Sequence, residues 1–394
     1  MALYAEQSSP GAPGPRPRSC CPPSKDKREG MKELVLHLGM PKTGSSALQV
    51  FLARNHAALL ARGVDYLPIG EFALGVNGRI SAGNGAYLAR TLLAPDSPAR
   101  IPDPDRHRAE FHAALARSTA PIGIVSSELF IDARRAALEG LIGALAERGV
   151  AVKALYYIRR HDQFLASAYM QQVKRHGCTD SPETYARVAY RQHPFLKYRT
   201  FYGYLSEIFG AENIICRTYE GTVTQGDGLF RDVLAALAIS PDGLAFAVPD
   251  VNTSLTPKEV AIMLLVNRYK PRMQFSDMVV ENTISTGAMK AGIEHHILPQ
   301  PLIAEVEAFF RDENRAMARD CFKREQLFRA PPYTGPVETI ATPSLSFEDL
   351  IGFFGGLLVR YDQRFVELDQ RLVELGKVIR GLRAELLAPE TVRN

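Results

Sequence analysis

Leu34-Val35-Leu36-His37-Leu38-Gly39-Met40-Pro41-Lys42-Thr43-Gly44-Ser45-Ser46-Ala47 is the stretch that decides the fold. Its first five residues form the short, nearly continuous apolar run of a strand buried on both faces. A tight loop follows over 39–46. From Ala47 onward the apolar positions Leu48, Phe51, Leu52, Leu59 and Leu60 recur at helical spacing. Strand, loop and helix in that order open an α/β fold.

The loop is also a natural anion cradle. Between a strand end and a helix start, backbone N–H groups without intrahelical partners meet the positive end of the helix dipole. Gly44 permits the sharp turn, Thr43, Ser45 and Ser46 offer hydroxyl donors, and Lys42 brings a mobile positive charge. Phosphate, phosphosulfate and sulfate all fit such a cradle. In a nucleotide-triphosphatase loop the lysine follows the second glycine and a magnesium-binding hydroxyl comes next. Here Lys42 precedes Gly44.

Three further buried strands are read at 122–125, 152–158 and 214–216, each followed by polar residues and a candidate helix, which predicts a parallel sheet flanked by helices. Residues 69–108, rich in Gly, Pro, Asn and Asp, are expected to form an irregular excursion over the active face and to shape an acceptor pocket. The second strand ends at Ser126-Ser127-Glu128, which places a carboxylate where open α/β sheets bind ligands. Glu128 there acts as a general base, or else caps the next helix or faces water. His37 is the second candidate base, although its strand position suits a core histidine. The third strand ends in Arg159-Arg160, a helix is expected from His161 or Asp162, and Ser167 lies eight residues after Arg159.

Pro41-Lys42-Thr43-Gly44-Ser45-Ser46 after a strand resembles the 5′-phosphosulfate loop of sulfotransferases that use 3′-phosphoadenosine 5′-phosphosulfate (PAPS), and His37 to Met40 with Gln49 is similar to the bacterial and carbohydrate-acting branch. Arg159 and Ser167 resemble that family's 3′-phosphate site, where a strand-end arginine and a serine two helical turns later hold one phosphate; bidentate guanidinium donors and a directed hydroxyl suit the task. Arg217-Thr218-Tyr219-Glu220 is similar to the strand end where the family's tyrosine contacts adenine, which implies that role for Tyr219. Asn252, Ser254 and Leu255 match a bacterial pattern without a chemical role. The Arg-Lys-Gly triplet of the cytosolic small-molecule branch is absent, and Met289-Lys290-Ala291-Gly292 is only an echo of it. The resemblance implies sulfuryl transfer from PAPS, as co-substrate and without a metal, to a hydroxyl or amine of a small-molecule or saccharide acceptor. The rival readings are a kinase on a variant nucleotide loop and a non-catalytic nucleotide-binding assembly protein.

Composition limits the partners. Basic residues number 47 and acidic ones 43, and a net charge of +4 demands no nucleic-acid partner. Five cysteines without Cys-x-x-Cys pairs or zinc-spaced histidines fit a reduced, cytoplasmic chain. The expected organisation is a disordered leader over 1–30, a sulfotransferase domain over 31–345 and a C-terminal helical extension over 346–394, with no membrane span. In that extension Phe354, Leu358, Tyr361, Phe365, Leu368, Leu372, Leu375, Ile379, Leu382 and Leu386 alternate spacings of four and three, the seam of a coiled coil. It either pairs with a second copy or, over its first two turns, packs on its own catalytic domain.

Overall fold

The computed structural model describes residues 30–79, 81–247, 257–269, 279, 297–330 and 347–387. The leader up to residue 29, Cys20, Cys21, Asn252, Ser254, Leu255 and the 289–292 echo lie outside the described residues.

Five strands, β1 (Glu33–His37), β2 (Val64–Tyr66), β3 (Ile122–Ser126), β4 (Ala151–Ile158) and β5 (Ile214–Thr218), form one parallel sheet in the order β2-β3-β1-β4-β5. β1 is central, pairing His37 with Ser126 of β3 on one side and with Leu155 of β4 on the other. From β1 the chain passes to the edge strand β2, returns through β3 beside β1, and then crosses to β4 and β5. The carboxyl ends of β1, β3 and β4 therefore flank the point where winding reverses, the crevice in which open α/β sheets bind ligands.

The helices are α1 (Ser45–Arg54), α2 (His56–Leu60), α3 (Phe72–Val76), α4 (Ala86–Thr91), α5 (Pro104–Arg117), α6 (Arg135–Ala146), α7 (His161–Arg175), α8 (Pro182–Gln192), α9 (Tyr198–Phe209), α10 (Gly228–Ala236), α11 (Pro257–Asn267), α12 (Gln300–Asp320) and α13 (Phe347–Leu387). They cover both faces of the sheet. Alternate β1 residues enter opposite cores because successive side chains of a strand point to opposite faces. Leu34 and Leu36 join α6, α7, α9 and α12 in one core, while Val35 joins Phe51 of α1 and Phe230 of α10 in the other. The Phe51 and Phe230 rings stack at 4.5 Å.

Three local expectations change. β2 was not anticipated: its middle residue, Asp65, is buried but paired with His56 (2.9 Å) and Ser118 (2.7 Å), so a polar residue interrupts the apolar run. The helix after the loop is broken at Asn55, whose side chain turns back to the Phe51 carbonyl and also bonds Ala245. Residues 69–108 are not wholly irregular, since they hold α3, α4 and the start of α5, which is capped by Asp103 with Pro104 at its first position.

α7 is fixed by its first residue. The buried His161 ring lies between Phe310 (3.9 Å) and Tyr198 (4.6 Å), and its Nε2 bonds the Leu196 carbonyl at 2.9 Å. Burial holds this imidazole neutral, with a pKa of about 4. Arg160 beside it is also structural: it pairs with Asp162 and donates to the Ala330 carbonyl at 3.1 Å.

Among the described residues, α13 meets the core through Leu350, Phe353 and Leu357. This is a different stripe from the predicted seam. Phe354 (46% exposed) and Leu358 (69%) already face outward, and the described seam residues from Tyr361 to Leu382 are exposed as well. Among the described residues, Cys178, Cys216 and Cys321 are free thiols, and no helix is long and apolar enough to cross a membrane.

Candidate active site

The loop after β1 is shaped by two glycines with positive φ. Gly39 (φ 30°) lies against the Glu128 backbone so closely that a Cβ would sit 2.9 Å from its nitrogen. At Gly44 (φ 80°) a Cβ would meet Leu229 at 2.7 Å and the Tyr219 hydroxyl at 3.2 Å. Lys42 itself holds φ 68°, a left-handed conformation unusual for a residue with a Cβ. Gly44 stands at the N-cap of α1 and provides no side-chain cap for the first-turn N–H groups.

Four strand ends then converge. Lys42 follows β1, Glu128 follows β3, Arg159 follows β4 and Tyr219 follows β5; with Ser167 of α7 they line one cavity of about 710 Å³. Pro41, Gly44, Ser45 and Ser46 line it too. Arg159 donates to the Lys42 carbonyl at 2.7 Å and lies 5.4 Å from the Tyr219 ring centre, which ties the two phosphate-type segments together. Thr43 departs from its predicted role: it is buried, is not among the lining residues, and its hydroxyl donates to the Met40 carbonyl at 2.7 Å. It braces the loop from inside.

Burial draws Lys42 down to about 8, with Glu128 opposing and Lys174, Arg159 and Arg175 adding to the fall. Its ammonium donates to Gln171 Oε1. Burial raises Glu128 above the ordinary carboxylate range, against the influence of Lys42 and a hydrogen bond from Ser45. Glu128 does not cap the short 3₁₀ turn it begins; Ser127 does, accepting from the Leu129 N–H. His37 is a core histidine: it is 1% exposed, bonds Ser126 Oγ at 2.8 Å through Nδ1, and is held neutral by burial with a pKa of about 4. Ser126 also accepts from Gln49 at 3.1 Å, and its N–H donates to Asn84 at 2.8 Å, so this network fixes the end of β3 that aims Glu128.

Met170, Gln171, Lys174 and Arg175 of α7 line the cavity and were not anticipated; Glu71, Leu74, Ser81 and Ala82 line it from the 69–108 segment, which was expected over this face. The α7 residues follow Ser167 at offsets of three, four, seven and eight, one helical face, and that spacing is the signal by which they are found. Within 69–108, Glu71 accepts from the Ala82 N–H at 2.8 Å and folds that segment along the cavity rim.

This arrangement suits transfer of an anionic group. Lys42, Ser45 and Ser46 line the cavity together with Arg159 and Ser167, and a carboxylate with a raised pKa interacts with Lys42. Glu128→Gln keeps size and hydrogen bonding, so turnover is expected to fall about a hundredfold or more, the range for loss of a general base. Binding of adenosine 3′,5′-bisphosphate should be retained. In the unaltered protein, kcat/KM should rise with pH as Glu128 ionises and fall as Lys42 loses its proton near 8. The acid limb should vanish in Glu128→Gln, and an unchanged rate and profile in that variant removes Glu128 from the base role.

Among the described residues, no group of three or more His, Cys, Asp and Glu side chains is placed to hold a metal ion. No protein-family model matches the chain, and no curated protein does. A solved structure of a sulfotransferase from Alicyclobacillus acidocaldarius is similar over 60% of this chain and 92% of its own, with 17% identity and a TM-score of 0.34.

Proposed function

We propose that this protein is a PAPS-dependent sulfotransferase whose acceptor is a hydroxyl or amine of a saccharide or small molecule. The observation that carries the reading is the union, in one cavity, of the 41–46 loop at the N-terminus of α1 with the Arg159 and Ser167 pair, joined by the bond from Arg159 to the Lys42 carbonyl. Two separated anion positions beside a strand-end tyrosine match a nucleotide with a 5′-phosphosulfate and a 3′-phosphate.

In this mechanism the 5′-phosphosulfate lies on the first-turn N–H groups of α1 with Ser45 and Ser46, and the 3′-phosphate lies on Arg159 and Ser167. Tyr219 flanks the adenine. Glu128 takes the proton of the acceptor hydroxyl as its oxygen bonds to sulfur, and the bond from sulfur to the bridging oxygen breaks in line. Lys42 stabilises the negative charge that grows on that bridging oxygen, which leaves on adenosine 3′,5′-bisphosphate. No step calls for a metal. The free thiols at 178, 216 and 321 accord with a cytoplasmic setting, which belongs to the same proposal.

Titration of the full chain with adenosine 3′,5′-bisphosphate and with ATP plus magnesium tests the reading: the bisphosphate should bind more tightly, and a preference for ATP with magnesium favours a kinase instead. Arg159→Ala should weaken the bisphosphate at least about tenfold, as expected for a charge-assisted bond, and weaken adenosine 5′-phosphate much less. Equal losses for both nucleotides take Arg159 out of the 3′ site.

A further inference from the structure

β4 and β5 are each followed by a pair of polar residues, Arg159-Arg160 and Tyr219-Glu220. Successive side chains of an extended chain point to opposite sides. The first of each pair, Arg159 and Tyr219, lines the donor cavity, with the guanidinium 5.4 Å from the ring centre. The second of each pair is not among the lining residues and is turned instead to the segment that follows α12. There both meet one stretch of backbone. Glu220 Oε2 accepts from the Arg329 N–H at 2.8 Å and from the Ala330 N–H at 3.3 Å, and Arg160 Nη1 donates to the Ala330 carbonyl at 3.1 Å.

The β4–β5 ladder runs to the Tyr219 N–H, which bonds the Ile158 carbonyl at 2.7 Å. One residue beyond it, residues 329 and 330 take over as the tie between the two strand ends. Their own segment, 321–330, is fastened as well. Leu327 is buried, Arg324 donates to the Leu327 carbonyl, and the Phe328 ring lies 6.2 Å from that of Tyr198. The Tyr198 hydroxyl in turn donates to the Arg159 carbonyl. Two routes therefore lead from this segment to the donor side, through Glu220 to Tyr219 and through Arg160 and Tyr198 to Arg159. Among the described residues, Glu220 Oε1 and Arg324 Nε are buried without a hydrogen bond, and Arg324 Nη2 stands 3.8 Å from that oxygen. The clasp has a bond still to close.

We infer that Glu220 is a positioning residue for the donor nucleotide: by holding residues 329 and 330 against Arg160 it fixes the ends of β4 and β5, and so the placing of Arg159 relative to Tyr219. This inference rests on the sulfotransferase reading of the donor cavity. Glu220 acts from behind the site and takes no part in the bond exchange. A site preset in this way loses less freedom when the nucleotide enters, which raises affinity. By reciprocity, a nucleotide that spans Arg159 and Tyr219 tightens the clasp.

Hydrogen exchange and calorimetry on the full chain test it. In the unaltered protein, saturating adenosine 3′,5′-bisphosphate should slow exchange of the Arg329 and Ala330 amides about tenfold, and unchanged exchange overturns the inference. Glu220→Ala should weaken the bisphosphate about tenfold, the scale of one charge-assisted hydrogen bond. Glu220→Gln keeps an oxygen for both N–H groups and should restore most of that loss. In turnover, Glu220→Ala should raise KM for PAPS and leave kcat within about twofold, since Lys42 and Glu128 follow other strands. The loss should also overlap with that of Arg159→Ala: the double variant should bind much more tightly than the product of the two single losses gives, because a misplaced Arg159 has less to lose. Losses that multiply, an affinity indifferent to Glu220→Ala, or no rescue by Glu220→Gln overturn the inference alone. If Glu220→Ala does not fold, the exchange result on the unaltered chain decides. No binding of the bisphosphate to the unaltered chain overturns the donor reading and this inference with it.

Discussion

Lys42→Ala is expected to lower the rate of sulfuryl transfer by about a hundredfold to a thousandfold, the measured scale for removing one preorganised donor from a developing negative charge. The fall should appear in kcat, because the charge on the bridging oxygen exists only in the transition state. Adenosine 3′,5′-bisphosphate should still bind through Arg159, Ser167 and the α1 N-terminus. Folding should not suffer. Lys42 is a lysine whose pKa drops on folding, so its charged form is penalised in the native state. That penalty is full below about 8 and fades as pH climbs toward the ordinary lysine value, so at neutral pH alanine removes a cost. The melting temperature should therefore hold or rise slightly. The left-handed backbone at position 42 is kept in the alanine variant, so the comparison isolates the ammonium. Lys42→Arg should recover part of the rate, since the charge returns on a differently shaped head. Turnover near that of the unaltered protein in Lys42→Ala would refute the mechanism.

The features that make this site were legible where local chemistry dictates them. Strand ends followed by Lys42, Glu128, Arg159 and Tyr219 stand out because apolar runs stop abruptly at polar residues, and the structure places all four on one cavity. Arg159 and Ser167 were singled out because their eight-residue spacing resembles a 3′-phosphate site, and both line the cavity. What stayed hidden depends on tertiary partners. Asp65 conceals β2, because only its contacts with His56 and Ser118 make a buried aspartate tolerable there. Thr43 reads as a donor like Ser45, yet its hydroxyl is held by the Met40 carbonyl at 2.7 Å and only Ser45 reaches the cavity lining. Arg160 reads like Arg159, yet Asp162 and the Ala330 carbonyl claim it. Glu220 reads as a strand-end acid and in fact accepts the Arg329 N–H at 2.8 Å, fastening the segment after α12 beside the site. Lys174 and Arg175 were not singled out from the sequence. Their relation to Lys42 appears only once α7 is anchored by His161.

Removal of residues 362–394 is expected to convert a dimer into a monomer while leaving the catalytic domain folded. α13 runs for 41 residues, yet among the described residues it enters the core through Leu350, Phe353 and Leu357, all before the cut. The seam beyond them stays uncovered, with Phe365 68%, Leu372 65% and Leu375 55% exposed. A row of large apolar side chains on a projecting helix, each worth about 1.5–3 kcal/mol when fully buried, calls for a partner. We propose that the partner is a second copy of this helix in parallel register. The seam separates into Leu358, Phe365, Leu372 and Ile379 at one heptad position and Tyr361, Leu368, Leu375 and Leu382 at the other, and leucine at the second is compatible with two strands. In that register Arg364 of one helix faces Asp369 of its mate, opposite charges flanking the seam, whereas an unrelated partner would have to supply both the repeat and the charge. The seam is distinct from the stripe that holds α13 to its own domain, so both contacts exist at once. Light scattering of the full chain should give twice the 43.5 kDa chain mass, and the shortened protein should give one chain mass with its bisphosphate binding intact. A monomeric full chain, or a dimer that survives the deletion, excludes pairing through this helix.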